Sequence, residues 1–334
     1  MLISYRTKRL TAICLFILII VLASDVGTSG SIRDNVQTHV IEQAPLSFPP
    51  LDIDPRAIDP DMILPKPSTV PEIVTPPIKK ISVVKPVVSA EAYIVANLDT
   101  GEIYKSFNPK KVFPIASLTK LVTALVAMHS MDQGSSTIIT QNMLDEGFGT
   151  AGQLVVGEKF TIQELLYPLL LESSNDAAHA LAHTYDYKKF VSAMNAVVLD
   201  LGMKSTSFAD ASGETARNIS NADDLLILAR YLYKQEKPIL DMTREMRHEL
   251  ASTTDHGVHV WNTINPFPLD PHFIGGKTGR TDQAKESMIS LFRYEYKGTV
   301  YPVAIIVLRS DFKVRQIDSS ILFEQFIQKL GNIF

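Results

Sequence analysis

The chain has very little cysteine: among 334 residues only Cys14 carries a thiol, and it lies in an apolar run near the N-terminus. Disulfides and cysteine-based metal sites are therefore excluded from the rest of the chain. A basic surplus is also absent, because 32 Lys and Arg residues face 36 Asp and Glu residues, for a formal net charge of −4. Binding to a nucleic-acid backbone requires positive charge, so no nucleic-acid partner is expected. Hydrophobic residues make up 46% of the chain, which excludes a purely disordered or fibrous protein.

The first 24 residues have the layout of an export signal. Three basic residues among the first nine precede the uncharged, mostly apolar run from Leu10 to Ala23. A membrane-spanning helix needs about 20 apolar residues, whereas this shorter run fits the hydrophobic region of a signal peptide. The pattern leaves two outcomes open for residues 1–24, a cleaved signal peptide or a retained N-terminal membrane anchor. In both cases we expect an exported protein of the cell envelope, in the periplasm or at the outer face of the cytoplasmic membrane.

Residues 25–88 are predicted to form a proline-rich, disordered tether. Eleven of the 19 prolines in the chain lie between Pro45 and Pro86. Proline fixes φ and removes a backbone hydrogen-bond donor, so such a segment favours extended conformations over a packed core. Behind an export signal, this tether would hold the following domain, residues 89–334, away from a membrane.

Residues 89–334 combine strand patterns at both ends with helical patterns between them. The turn Asp99–Gly101 joins the first two strand-like runs and predicts a β-hairpin. Apolar residues at helical spacing fill the middle of the domain. The strands are predicted at 92–97, 102–107, 272–279, 287–294 and 300–308, and the last helix at 314–330. The fold class is therefore mixed α/β, of the α+β kind.

A serine and a lysine at helical spacing are the first candidates for chemistry. Ser117-Leu-Thr-Lys120 opens a predicted helix, and residues three apart on a helix share one face, which brings the hydroxyl and the amine within reach. A neutral lysine could deprotonate the serine if burial or a second cation lowers its pKa. The same spacing also occurs at Ser82/Lys85 and Ser310/Lys313, so this pair needs further support.

The order of three motifs gives that support. Ser117-Leu-Thr-Lys120 is followed by Ser173-Ser-Asn175 and then by Lys277-Thr-Gly279, which is the signature set of penicillin-binding proteins and serine β-lactamases. The sequence from about residue 89 to about residue 308 resembles the D-alanyl-D-alanine carboxypeptidase family of low-molecular-mass penicillin-binding proteins. The stretches that carry this resemblance are 153–166, 169–178, 190–195, 201–208 and 275–282.

The resemblance implies a fold and an activity. The fold is the penicillin-binding, serine β-lactamase-like one, with an antiparallel sheet flanked by helices, a mostly helical subdomain and a site in the cleft between them. The activity is that of a serine-type D-Ala-D-Ala carboxypeptidase, which removes the terminal D-alanine from peptidoglycan stem peptides and is acylated by β-lactam antibiotics. It needs neither a cofactor nor a metal.

The resemblance also implies catalytic roles. Ser117 would be the nucleophile, Lys120 its general base, and Ser173 the relay that passes a proton to the leaving D-alanine. The backbone N–H groups of Ser117 and Arg280 would form the oxyanion hole.

Four further residues would bind the substrate. Asn175 would hold the peptide through its side chain, while Lys277 supplies positive potential and Thr278 hydrogen-bonds the terminal carboxylate. Gly279 lacks a Cβ, which would let a substrate strand lie against the edge of the sheet.

Two other functions stay open on the sequence. A class A-like β-lactamase is one, because Glu214 and Asn218 have the Glu-x-x-x-Asn spacing with which such enzymes hold a deacylating water. The other is a non-catalytic cell-wall-binding module with the same fold. Retention of Ser117, Lys120 and the other motif residues argues against a module that has lost its activity.

Several smaller features are given structural interpretations. His179 and His183 stand four apart, but no third metal ligand is evident, so surface histidines are expected. Trp261 is expected to serve packing. Ser174 stands where the family usually has glycine, a change that is expected to be tolerated, and Lys285 and Glu286 depart from the family's usual turn after Lys-Thr-Gly at the rim of the cleft. Any membrane attachment is expected to be N-terminal.

Overall fold

The computed structural model describes residues 87–147 and 151–333. The predicted export signal at 1–24 and nearly all of the predicted tether at 25–88 lie outside the described residues, so both remain predictions. Within the described ranges, no helix combines the length and the apolar character needed to cross a bilayer.

A five-stranded antiparallel sheet is the centre of the fold. Its strands are β1 (Ala92–Asn97), β2 (Ile103–Phe107), β9 (Phe273–Thr281), β10 (Lys285–Tyr296) and β11 (Thr299–Ser310). Their order across the sheet is β2-β1-β11-β10-β9. The remaining strands form three short pairs, which are β3 (Phe113–Pro114) with β6 (Ile219–Ser220), β4 (Ser136–Ile138) with β5 (Lys159–Thr161), and β7 (Arg247–Leu250) with β8 (His259–Asn262). The antiparallel sheet expected from the resemblance is confirmed, and it is built from strands at the five positions that the sequence pattern predicts.

Helices cover both faces of this sheet. They are α1 (Lys120–Ser130), α2 (Gln141–Asp145), α3 (Ile162–Leu171), α4 (Asn175–Tyr185), α5 (Tyr187–Asp200), α6 (Ala222–Gln235), α7 (Lys237–Arg244) and α8 (Arg315–Ile333). The alternation of β11 explains the layering, because successive side chains of a strand point to opposite faces. Val303, Ile305 and Val307 pack with the C-terminal helix α8. Ala304, Ile306 and Leu308 face the larger core formed with the other helices.

Local signals in the sequence set several element ends. Thr161 and Glu164 form the predicted capping box at the start of α3, each side chain bonding the backbone N–H of the other residue. Asn221 caps α6 by accepting a hydrogen bond from the N–H of Asp224. Gly202 follows α5 with φ of +84°, a conformation that favours glycine. These ends place the loops that surround the cleft.

Strand β9 has a special position because it is the edge strand of the sheet on the side of the cleft. It packs against a short 3₁₀ turn, Ala116–Thr119, that leads directly into α1. The Lys277-Thr-Gly279 motif on β9 and the Ser-x-x-Lys motif on the turn are therefore brought together by the fold, although 160 residues separate Ser117 from Lys277.

Candidate active site

Ser117 lies on a strained turn. The residue before it, Ala116, has φ of +49°, a left-handed conformation that costs free energy for any residue with a Cβ. Gly213 packs against this turn so closely that a Cβ added there would fall 2.1 Å from the carbonyl oxygen of Ala116. The loop that contains Gly213 thus buttresses the turn and fixes the half-buried Ser117 hydroxyl at the floor of the cleft.

Lys120 is completely buried, and its ammonium group has three hydrogen-bond acceptors. Its Nζ donates to Oγ of Ser117 at 3.0 Å, to Oδ1 of Asn175 at 2.7 Å and to the carbonyl oxygen of Ser212 at 2.6 Å. Two of these acceptors, the amide and the carbonyl oxygen, can only accept. When Lys120 is neutral, they take its two N–H bonds and leave the lone pair for the hydroxyl proton of Ser117.

The surroundings of Lys120 make the neutral form accessible near neutral pH. Burial lowers the pKa of Lys120 from 10.5 to about 7, because desolvation disfavours the charged amine. The carboxylates of Glu214, Asp210 and Asp176 oppose this effect by stabilising the ammonium form. A lysine whose pKa lies near the working pH can both accept and return a proton.

Ser173, Ser174 and Asn175 occupy the break between α3 and α4. Ser173 has φ of +62°, which turns the chain sharply before α4 begins. Ser174 is buried and caps α4 by accepting a hydrogen bond from the N–H of Ala177 at 3.1 Å. This cap explains how serine takes the place of the glycine usual in the family. Asn175 then opens α4 with its side-chain oxygen 2.7 Å from Lys120.

Lys277 reaches the same cleft from the opposite wall. It is 1% exposed, and its Nζ donates to Oγ of Ser173 at 2.8 Å and to the carbonyl oxygen of Thr278 at 3.1 Å. Burial lowers the pKa of Lys277 well below its usual value, and the positive charges of Lys120 and Arg315 lower it further. The structure therefore forms two hydrogen-bonded groups, Ser117 with Lys120 and Asn175, and Ser173 with Lys277, and the Ser173-Ser-Asn175 segment joins the two through its backbone.

The rest of β9 completes this wall. Thr278 is buried, and Arg280 pairs with Glu286 of β10 while its side chain stacks over Phe312 at 4.5 Å. A Cβ on Gly279 would lie 2.8 Å from the carbonyl oxygen of Ile115 and 3.2 Å from the backbone nitrogen of Ser117. The sequence analysis related the missing Cβ only to the space for a substrate strand. The structure shows that it also lets β9 approach the turn that carries Ser117.

The rim after the Lys-Thr-Gly motif is a tight β9–β10 turn. Ala284 is buried, and its N–H donates to Oγ1 of Thr281 at 3.1 Å. Lys285 follows with φ of +50° and forms an ion pair with Glu91 at 3.1 Å. The departure from the family pattern is accommodated without breaking the hairpin.

The two residues of the Glu-x-x-x-Asn pair, Glu214 and Asn218, make contacts with different parts of the structure. Asn218 is fully buried, and its Oδ1 accepts from the N–H of Ala209 at 2.8 Å while its Nδ2 donates to Oγ1 of Thr119 at 3.2 Å. Its amide therefore holds the loop to the start of α1. Glu214 instead has its carboxylate 3.5 Å from Nε2 of His179.

The expectation that His179 is a surface histidine is wrong. Its side chain is buried between α4, α5 and the loop with Glu214, and its Nδ1 lies 3.2 Å from the hydroxyl of Tyr187. His183, one turn later, is partly exposed and contacts Glu146 at 2.9 Å. Helical spacing alone did not show that α5 covers the first of these two positions. Trp261 is fully buried, with its Nε1 donating to the carbonyl oxygen of Gly152 at 2.7 Å, which confirms a packing role.

Comparison with known proteins gives the family. A family model described as D-alanyl-D-alanine carboxypeptidase matches residues 79–305. The chain is 30% identical over 233 residues to the D-alanyl-D-alanine carboxypeptidase DacF of Bacillus subtilis, covering 68% of this chain and 59% of that protein. It is 29% identical over 232 residues to a D-alanyl-D-alanine endopeptidase of Escherichia coli, covering 67% of this chain and 72% of that one.

Solved structures support the same fold. A D-alanyl-D-alanine carboxypeptidase from Mycobacterium tuberculosis superposes with a TM-score of 0.65 at 27% identity, over 75% of this chain and 95% of that one. A mutant of the Streptomyces K15 DD-transpeptidase gives a TM-score of 0.64 at 25% identity, over 73% of this chain and 100% of that one. The predicted fold class is confirmed.

Proposed function

The chain belongs to the D-alanyl-D-alanine carboxypeptidase family, and from this membership we propose that it is a serine-type D-Ala-D-Ala carboxypeptidase. Its substrate is then the peptidoglycan stem peptide, from which it removes the terminal D-alanine through an acyl-enzyme on Ser117. β-Lactam antibiotics acylate the same serine and inhibit the enzyme. The observation that carries this proposal is the 3.0 Å contact between Oγ of Ser117 and the buried amine of Lys120.

In the proposed acylation step, neutral Lys120 takes the hydroxyl proton of Ser117 while Oγ attacks the carbonyl carbon between the two D-alanines. The negative charge that develops on the carbonyl oxygen is stabilised by the N–H groups of Ser117 and Arg280. Losing one such donor typically costs about 100- to 1,000-fold in rate.

The leaving D-alanine needs a proton, and we assign its supply to Ser173. Because Lys277 donates to Oγ of Ser173, the hydroxyl hydrogen of Ser173 can point away from Lys277 and toward the departing amine. Ser173 then takes up the proton that Lys120 received from Ser117, which leaves Lys120 neutral again. In the second step Lys120 takes a proton from the water that attacks the ester, and it returns this proton to Oγ of Ser117 as that oxygen leaves.

Substrate binding would use the two walls of the cleft. Asn175 contacts the peptide from α4, and Lys277 and Thr278 receive the terminal carboxylate from β9. The edge position of β9 supports this assignment, because an edge strand can pair with an extended peptide. Gly279 keeps that edge close to Ser117.

This function places residues 89–334 outside the cytoplasmic membrane, where peptidoglycan lies. Export would use residues 1–24, and residues 25–88 would act as the tether. Cleavage of the signal, or its retention as a membrane anchor, is decided by the intact mass of the mature protein.

The experiment is an intact-mass time course of the full-length chain with benzylpenicillin, with the antibiotic concentration and D-alanine release from a D-Ala-D-Ala peptide followed in parallel. We expect a lasting adduct that Ser117→Ala abolishes and that Ser192→Ala, at an exposed serine on α5, leaves unchanged. Rapid loss of antibiotic without a lasting adduct would instead indicate a β-lactamase. No adduct, no antibiotic loss and no D-alanine release would indicate a non-catalytic module.

A further inference from the structure

A row of charged and polar side chains extends from the proposed general base, Lys120, toward the surface. Behind Lys120 lie Glu214, His179, Tyr187 and Glu146, which line a cavity of about 370 Å³ together with Asp210, Ser212 and Thr215. The three catalytic motifs do not include any of these side chains. Their arrangement nevertheless places a carboxylate beside the base.

His179 lies in the middle of this row of side chains and has contacts at both ring nitrogens. The ring is 4% exposed and stacks on Tyr187 with an interplanar angle of 10°. The hydroxyl of Tyr187 lies 3.2 Å from Nδ1, and burial raises the pKa of this tyrosine to about 12, so the hydroxyl keeps its proton. The opposite nitrogen, Nε2, faces the carboxylate of Glu214 at 3.5 Å.

Glu214 is one of several groups that face Lys120 from different elements. The turn contributes Ser117, α4 contributes Asn175 and Asp176, and β9 contributes Lys277. The loop after α5 contributes Asp210, the carbonyl of Ser212 and Glu214.

One carboxylate oxygen of Glu214 accepts a hydrogen bond from Oγ of Ser212 at 3.3 Å, and the carbonyl oxygen of the same Ser212 accepts from Lys120 at 2.6 Å, so a single residue links this carboxylate to the base. Among the three carboxylates in this shell, Glu214 also has the largest stabilising effect on the ammonium form. Asp210 accepts hydrogen bonds from the N–H groups of Ser212 and Thr215, so it shapes the loop itself. Asp176 is buried, with one carboxylate oxygen lacking a partner.

We propose that Glu214 is a positioning residue for Lys120, held by His179 so that its carboxylate balances the charge around the general base. Burial without this carboxylate would make the amine a weaker base, because a base loses strength as it loses affinity for the proton. The carboxylate of Glu214 offsets part of the decrease that burial causes in the pKa of Lys120. This role rests on the proposed function, since it presumes that Lys120 activates Ser117.

The test is the pH dependence of benzylpenicillin acylation by the full-length chain, measured by intact mass between pH 5 and pH 9. The acid limb is the low-pH part of this profile, where the acylation rate rises with pH. We expect Glu214→Gln to move the acid limb to lower pH, since the ammonium form of Lys120 loses a stabilising negative charge. For each protein, the acylation rate at pH 5 is divided by the plateau rate of the same protein. This ratio is expected to be about 3- to 10-fold higher for Glu214→Gln than for the parent. The plateau rate of Glu214→Gln is expected to fall by no more than about threefold, because the base is weaker.

Glu146→Gln is the matched control. Glu146 lies 3.6 Å from the other ring nitrogen of His179 and 2.9 Å from His183, so its carboxylate is on the opposite side of the His179 ring from Glu214. Its acid limb is expected to coincide with that of the parent. In a His179→Ala background, Glu214→Gln is expected to move the limb less than it does in the parent, because the carboxylate has lost its support.

Three results would overturn the inference: an unmoved limb in Glu214→Gln, an equal shift in Glu146→Gln, or loss of acylation at every pH in a folded Glu214→Gln variant. The last result would give Glu214 a direct catalytic role. A shift of full size in the His179→Ala background would remove His179 from the proposal. A parent chain that is not acylated at any pH would instead refute the proposed function, and this inference would fall with it.

Discussion

Replacing Gly279 by alanine tests the contact on which the site geometry depends. The added Cβ would lie 2.8 Å from the carbonyl oxygen of Ile115, about 0.6 Å short of ordinary contact at 3.4 Å, and 3.2 Å from the backbone nitrogens of Ser117 and Leu118. Strand β9 and the turn must separate by several tenths of an ångström to accept it. Overpacking of this kind costs about 1–3 kcal/mol of stability, so the protein is expected to fold.

Acylation is expected to suffer far more than stability, because the displaced atoms include the nucleophile and a proposed oxyanion donor. A misplacement of about 1 Å can cost about 100-fold in rate, so we expect Gly279→Ala to lower the second-order rate constant for benzylpenicillin acylation by about 10- to 100-fold. Intact mass spectrometry gives this rate, and thermal melting gives the stability. Gly134→Ala is the control, because its Cβ would have its nearest neighbour at 3.7 Å. An acylation rate within twofold of the parent, in a folded Gly279→Ala variant, would refute the reasoning.

Three further predictions follow from the buried charges. The acylation rate is expected to rise with pH through about 7, because the folded-state pKa of Lys120 lies there and only the neutral amine is a base; a stopped-flow pH series measures this. Burial raises the pKa of Asp176 from 3.8 to about 6. Ionisation of this carboxyl in the folded protein therefore lowers the free energy of unfolding, with no effect below pH 3.8 and the full effect above pH 6. Asp176→Asn is therefore expected to raise Tm at pH 8 but not at pH 4, and equal changes at both pH values would contradict this. Finally, a bound carboxylate should raise the lowered pKa of Lys277, so binding of a peptide ending in D-Ala-D-Ala is expected to take up protons in the pH range in which Lys277 titrates. Calorimetry in buffers of different ionisation enthalpy measures that uptake, and the C-terminal amide of the same peptide should lack it.

The elements of the fold were largely predictable because their signals are local. The period of two in β11 and the capping box at Thr161 depend only on residues close in the chain. The i, i+3 spacing of Ser117 and Lys120 likewise predicted their contact, which is observed at 3.0 Å. These features need no knowledge of which faces meet in the tertiary structure.

The parts of the site that were missed depend on contacts between distant segments. The carbonyl of Ser212 accepts a hydrogen bond from Lys120, 92 residues away in sequence, and a backbone carbonyl leaves no mark in the residue pattern. Gly213 in the same loop was the only available signal, since glycine often marks a close approach. The burial of His179 was missed for a similar reason, because α5 and the loop with Glu214 cover a helix position that looks polar in sequence.

The two buried lysines have different surroundings, and these surroundings support different roles for them independently of the motifs. Both have a serine hydroxyl as a hydrogen-bond partner, Ser117 for Lys120 and Ser173 for Lys277. Lys120 lies among carboxylates that keep its pKa near 7, as a general base requires. The charges that act on Lys277 are those of two cations, Lys120 and Arg315, and both oppose its ammonium form. The terminal carboxylate of the proposed substrate would supply a negative charge beside Lys277, so we expect peptides with a free C-terminus to be preferred.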